Sequence, residues 1–129
     1  MSKILQLKIY LQGSKPQIWR RFLVEDSIIF DELHETIQEV MGWESYHLYG
    51  FKINGINIEI PSMDYYPQDK DAGKTKLSDL LNLEKQRFNY VYDFGDGWNH
   101  VLVVEKILKK NELEKYPVCI EGKMACPPE

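Results

Sequence analysis

The stretch FNYVYDFGDGWNHVLVVEKI, residues 88–107, decides the fold. β-Branched and aromatic residues fill 88–94 and 98–107, and Gly95-Asp96-Gly97 between them is turn chemistry, so the segment predicts a hairpin of two antiparallel strands. Working outward, Ile53-Asn54-Gly55-Ile56 carries the Asn-Gly signal of a second hairpin, with strands over 47–53 and 56–60. Residues 3–11 alternate Leu5, Leu7, Ile9 and Leu11 with Gln6, Lys8 and Tyr10. After Gly13-Ser14-Lys15-Pro16 a further strand over 18–24 folds back on them. The period changes at Phe30, where Phe30, Leu33, Ile37, Val40 and Met41 fall at helical spacing. Asp31 and Glu32 suit the positive end of the helix dipole, and Gly42 suits its C-terminal stop.

Residues 61–73 are polar and without period, which predicts a long loop. Thr75 is placed to cap a short second helix carrying Leu77, Leu80 and Leu81, and the tail from Tyr116 is short, proline-rich and cysteine-bearing. Strands joined by hairpins rather than crossovers predict an α+β domain, a mainly antiparallel sheet with one main helix and a short second helix packed on it. Trp19, Leu33, Ile37, Trp43 and Phe51 are expected in one core.

The 129 residues suffice for one core, and 16 aromatics among them argue for a globular chain. No apolar run approaches the roughly 20 residues that span a bilayer, and Met1-Ser2-Lys3 leads into alternation rather than a signal-peptide core, so a cytoplasmic protein without a membrane segment is expected. The net charge of −4 disfavours nucleic acid as a partner. Beneath that sum, residues 1–25 carry Lys3, Lys8, Lys15, Arg20 and Arg21 against Glu25, whereas residues 26–69 carry nine acids against Lys52. Internal ion pairing is the plain account of this asymmetry. Alternation puts Arg20 and Arg21 on opposite faces of their strand, and a buried guanidinium needs a partner that the acid-rich middle segment offers.

Familiar motifs are absent. Ala72-Gly73-Lys74-Thr75 resembles the end of a phosphate loop, but Gln68 stands where the first glycine is required. Gly95-Asp96-Gly97 lacks the third glycine of a dinucleotide fingerprint, and His34-Glu35 is not followed by the second histidine of a zinc-protease helix. Chemistry concentrates instead in Tyr92-Asp93-Phe94-Gly95-Asp96-Gly97-Trp98-Asn99-His100. If Asp96-Gly97 is a two-residue turn, Asp93 pairs with His100, and a carboxylate beside an imidazole serves a general base or a metal ligand. If all three residues form the loop, Asp93 faces Asn99 and the dyad dissolves. Asp-Gly favours the former, so Asp93 is expected opposite His100. The bland alternative is a turn whose aspartates bond amides. His34 borders the helical apolar stripe and His47 opens the next strand, so Asp93, His100, His34 and His47 are the candidate catalytic residues. Arg20, Arg21, Asp96 and Trp98 are the candidate binding residues. Cys119 and Cys126 with His100 are the candidate metal set, for which zinc is the natural ion.

Further sequence features are Leu7-Lys8-Ile9, Pro16-Gln17-Ile18-Trp19-Arg20-Arg21, Leu33-His34-Glu35 with Ile37-Gln38, and Met41-Gly42-Trp43 with His47-Leu48. The chain ends in Pro117-Val118-Cys119, Gly122-Lys123 and Ala125-Cys126-Pro127-Pro128-Glu129. Together with the 92–100 motif these resemble the plasmid pRi open-reading-frame-three-like family, bacterial and archaeal proteins also known as insertion-sequence passengers of the TnpR type. The resemblance covers almost the whole chain. It implies an intracellular protein that travels with mobile elements, a single domain over 1–129 truncated at its C-terminal end, and functional weight on Arg20, Arg21, His34, His47, Asp93, Asp96, His100, Cys119 and Cys126. The expected function is an accessory or binding domain with a polar site near the 93–100 hairpin. A metal-dependent or hydrolytic enzyme using the His, Asp and Cys residues is the alternative, and a nucleic-acid-associated protein the weaker one.

Overall fold

A computed structural model of the chain describes residues 2–45, 47–61, 69–93, 95 and 97–123. The strands are β1 (Lys3–Leu11), β2 (Trp19–Glu25), β3 (Tyr49–Ile53), β4 (Ile56–Glu59), β5 (Lys70–Asp71), β6 (Arg87–Tyr92), β7 (Trp98–Lys109) and β8 (Val118–Lys123), with one helix, α1 (Phe30–Met41), between β2 and β3. They form one sheet in the order β5-β4-β3-β6-β7-β1-β2-β8, antiparallel except for the short β4–β5 pairing. The hairpins β1–β2, β3–β4 and β6–β7 are those the sequence predicts. No helix among the described residues is long and apolar enough to cross a membrane.

Helix α1 covers one face of the sheet. Its stripe of Phe30, Leu33, Ile37 and Met41 is buried against Leu5, Leu7 and Ile9 of β1, Phe22 of β2, Phe51 of β3, Tyr90 of β6 and Leu102 of β7. At its start the Phe30 and Asp31 amides donate to the carbonyls of Thr75 and Ala72, both at 3.0 Å, so the 72–75 loop satisfies the exposed N-terminal donors. The helix stops at Gly42 with φ of 78°, and the Trp43 amide returns to the Gln38 carbonyl at 2.8 Å.

Four expectations need correction. The second helix is a single 3-10 turn over Leu77–Asp79, with Lys76 rather than Thr75 at its cap; the Thr75 hydroxyl instead donates to the Asp71 carbonyl at 2.8 Å. The tail contains β8, paired with β2. Leu33, Ile37, Trp43 and Phe51 share the core, but Trp19 does not: strand alternation turns it to the opposite face from Phe22, where Lys8 Nζ and Arg21 Cζ lie 5.0 and 5.2 Å from its ring centroid. Finally, β3 begins at Tyr49, leaving His47 in the connection before it.

Candidate functional site

The loops 42–48 and 93–97 meet at one end of the sheet, where the sequence concentrates its polar chemistry. Their geometry begins with register. In β6–β7, Tyr90 pairs with His100 and Tyr92 with Trp98, so the connection runs from Asp93 through Gly97 and is five residues long. This overturns the expected Asp93–His100 dyad. Asp93 adopts φ of 60°, its amide donating to the Leu48 carbonyl at 2.9 Å and its carbonyl accepting from the Gly97 amide at 2.6 Å. Docking against the 42–48 loop thus outweighs the preference of Asp-Gly for a tight turn. Asp96 itself lies outside the described residues, as does Cys126.

His100 stands between Tyr90 and Leu11 on the helix-covered face and is fully buried. Its Nδ1 donates to the Tyr90 carbonyl at 3.3 Å, which leaves Nε2 as a lone-pair acceptor; neither it nor the buried Trp43 Nε1 has a hydrogen-bond partner among the described residues. Burial holds the His100 pKa down to about 4, partly offset by the carbonyls of Tyr90 and Trp98. It is a neutral core side chain.

His34 is buried as well, with both nitrogens occupied: Nδ1 lies 2.7 Å from the Tyr90 hydroxyl and Nε2 2.8 Å from Ser45 Oγ. Its ring stacks on Tyr49 at 3.7 Å, and Tyr49 in turn donates to Asp31 at 2.6 Å. Burial lowers its pKa to about 4 against the opposing pull of Asp31, whereas burial and the Asp31 bond hold the Tyr49 phenol well above its ordinary range. Gln38, one turn along α1, donates to the Tyr90 hydroxyl and accepts from the Ser45 amide, both at 2.8 Å. The network therefore ties α1 to β6 and pins Ser45 at φ of 61°.

His47 is the histidine that meets Asp93. Its Nε2 lies 3.6 Å from Asp93 Oδ2, with the side chains 39% and 15% exposed, while Asp93 Oδ1 accepts from the Gly95 amide at 3.2 Å. The His47 amide donates to the Tyr92 hydroxyl at 3.3 Å, and its ring meets Tyr92 edge-on at 5.5 Å. Each of the three histidines has a ring contact with Tyr90 or Tyr92. Half-buried Trp98 packs on Trp43 at 5.8 Å beside them.

Arg20 does meet the middle segment, through a backbone carbonyl, whereas Arg21 pairs with acids outside it. Arg20, on the helix side of β2, donates through Nε to the Val40 carbonyl at 2.9 Å, at the C-terminal turn of α1. To get there it crosses Gly122 of β8 so closely that a Cβ on that glycine would stand 2.6 Å from Arg20 Cδ. Arg21, on the other face, is held by Glu105 and Glu121, each at 2.7 Å, and this pairing keeps the Glu105 carboxyl below its ordinary range.

Of the set Cys119, Cys126 and His100, the first lies too far from the last for the two to share an ion, and Cys126 lies outside the described residues. The strand order interposes β1 and β2 between His100 and Cys119, three spacings of about 4.8 Å. No group of three or more His, Cys, Asp or Glu side chains able to hold an ion exists among the described residues. Gln38, Ser45 and Tyr90 are not among the candidate site residues that the sequence offers. Gln38 alone left a signal, a second polar residue four places after His34 on the apolar stripe.

The fold is similar to the crystal structure of MM3350, a protein of unknown function from Methanosarcina mazei Go1, with a TM-score of 0.92 and 41% identity over 100% of this chain and 74% of that one. An uncharacterized protein of Sinorhizobium fredii, y4hQ, is 32% identical over 130 residues, and the chain spans 66% of its length, just under two-thirds. The profile of the family described as "Plasmid pRiA4b ORF-3-like protein" matches residues 3–129. The chain accordingly belongs to the plasmid pRiA4b ORF-3-like family.

Proposed function

We propose that the chain is a non-enzymatic accessory or binding domain, cytoplasmic and associated with mobile elements as its family resemblance implies, that receives its ligand beside the 93–97 loop. One observation carries this reading. His34 and His100 are folded into the core as neutral side chains, whereas His47 and Asp93 stand together at the surface, the latter on backbone held at positive φ. Strained backbone of that kind persists where surrounding contacts enforce it and collects at functional sites.

The nearest approach to a catalytic pair, Ser45 on His34, supports hydrolysis poorly. A base with a pKa of about 4 draws little proton density from a serine, and Glu35, 3.7 Å from His34 Nε2, repels a developing oxyanion. Nucleic acid binding through the first hairpin is likewise weakened, since Arg20 and Arg21 are engaged within the protein. The test is amide NMR of the protein mixed with a set of small polar fragments. Shifts should collect at residues 47–48 and 93–99 and vanish in His47→Ala. Shifts scattered over the surface, or hydrolysis of p-nitrophenyl acetate that His34→Ala or His47→Ala abolishes, would refute the reading.

A further inference from the structure

The separation of His47 Nε2 and Asp93 Oδ2, 3.6 Å, is too long for an imidazole–carboxylate hydrogen bond, which closes to about 2.7–3.2 Å. It is close to a different standard distance. Two donors bound to one ion at about 2.1 Å each, at the tetrahedral angle, lie about 3.4 Å apart. Both donors are also held from behind. Asp93 is fixed by its amide on Leu48, its carbonyl on Gly97 and its Oδ1 on the Gly95 amide, so Oδ2 is the oxygen turned toward His47. His47 is fixed by its own amide on Tyr92 and by the edge of that ring. The Asp93 carboxylate is thus held by its own loop, and the His47 ring rests on Tyr92.

Resting on the reading of this end of the sheet as the ligand site, we infer that His47 Nε2 and Asp93 Oδ2 are two ligands of an exchangeable divalent transition-metal ion. One imidazole and one carboxylate suit zinc, cobalt or nickel rather than magnesium or calcium, which take oxygen donors. With two protein donors the ion keeps open positions for water and for a ligand group, and the 39% exposure of His47 gives them access. Binding is modest for the same reason.

The experiment titrates tag-free full-length protein with zinc chloride by calorimetry and with cobalt chloride by visible absorption, alongside His47→Ala, Asp93→Asn and Cys119→Ser. One equivalent should bind, at least roughly tenfold more weakly in either of the first two variants, and unchanged in Cys119→Ser. Magnesium chloride should not compete. Histidine ring NMR should show zinc moving His47 and leaving His34 and His100 in place. No binding at millimolar zinc, or binding lost in Cys119→Ser and kept in His47→Ala, overturns the inference. If fragments still collect at residues 47–48 and 93–99 in that event, the binding-domain reading stands without the metal; if they scatter too, both fall.

Discussion

Replacing His100 with Leu should make the protein markedly less sensitive to acid. The imidazole is fully buried, and its pKa is held to about 4 against an ordinary 6.5. A base whose folded pKa lies below its unfolded value releases a proton on folding, so its contribution is complete above 6.5 and is lost as the pH falls toward 4. The limit of that loss is about 3 kcal/mol, and at about pH 4.5 it reaches about 2–3 kcal/mol. At neutral pH the substitution should be close to neutral. It forfeits the 3.3 Å bond to the Tyr90 carbonyl but also removes a buried acceptor that has no partner among the described residues, effects of about 1 kcal/mol in opposite directions. His34 shifts the same way in both proteins and cancels in the comparison. Urea unfolding followed by tryptophan fluorescence at pH 7 and at about pH 4.5, with slopes checked for equality, gives both stabilities. The difference between the two pH values should be smaller in the variant by about 2–3 kcal/mol. An identical difference in wild type and variant would refute the claim that His100 is buried neutral.

Ile37→Ala should lose about 2–5 kcal/mol, because the side chain is fully buried beneath α1; a loss below about half a kcal/mol in urea unfolding would mean that the helix faces another way. Gly122→Ala should lose about 1–3 kcal/mol by driving a methyl into Arg20 Cδ, and much less in an Arg20→Ala background; equal losses in the two backgrounds would deny the crossing. A double-mutant cycle on Arg21 and Glu105, 22% and 23% exposed, should show coupling of about 1 kcal/mol that shrinks in salt, and zero coupling would count against the pair.

What could be read in advance was what local chemistry decides. α1 was legible because its apolar spacing, its early acids and Gly42 agree, and β3–β4 because Asn54-Gly55 accepts positive φ at both positions. The 93–97 loop was misread because the Leu48 carbonyl, far off in sequence, draws Asp93 out of the ladder. β8 was missed because it depends on an edge-strand glycine letting Arg20 pass, which no alternation within 118–123 reveals. Trp19 falls outside the core because alternation along β2 puts it on the same face as Arg21, opposite Phe22. Which histidine meets Asp93 depends on register, which the residue types around the 93–97 loop do not settle.

The position of β1 bears on how such a chain is made. It lies between β2, close behind it in sequence, and β7, whose pairing runs from Lys3 with Lys109 to Leu11 with His100. During synthesis its second edge stays open until roughly 90 more residues have emerged, several seconds or more at about 5–20 residues per second. For that interval Leu5, Leu7 and Ile9 belong to an incomplete sheet able to pair with a neighbouring nascent chain. Closure of the second edge of β1 therefore waits until residues 98–109 have been made. Slowing translation before residue 98 should raise aggregation more than slowing it after residue 109, when β7 has already closed the gap.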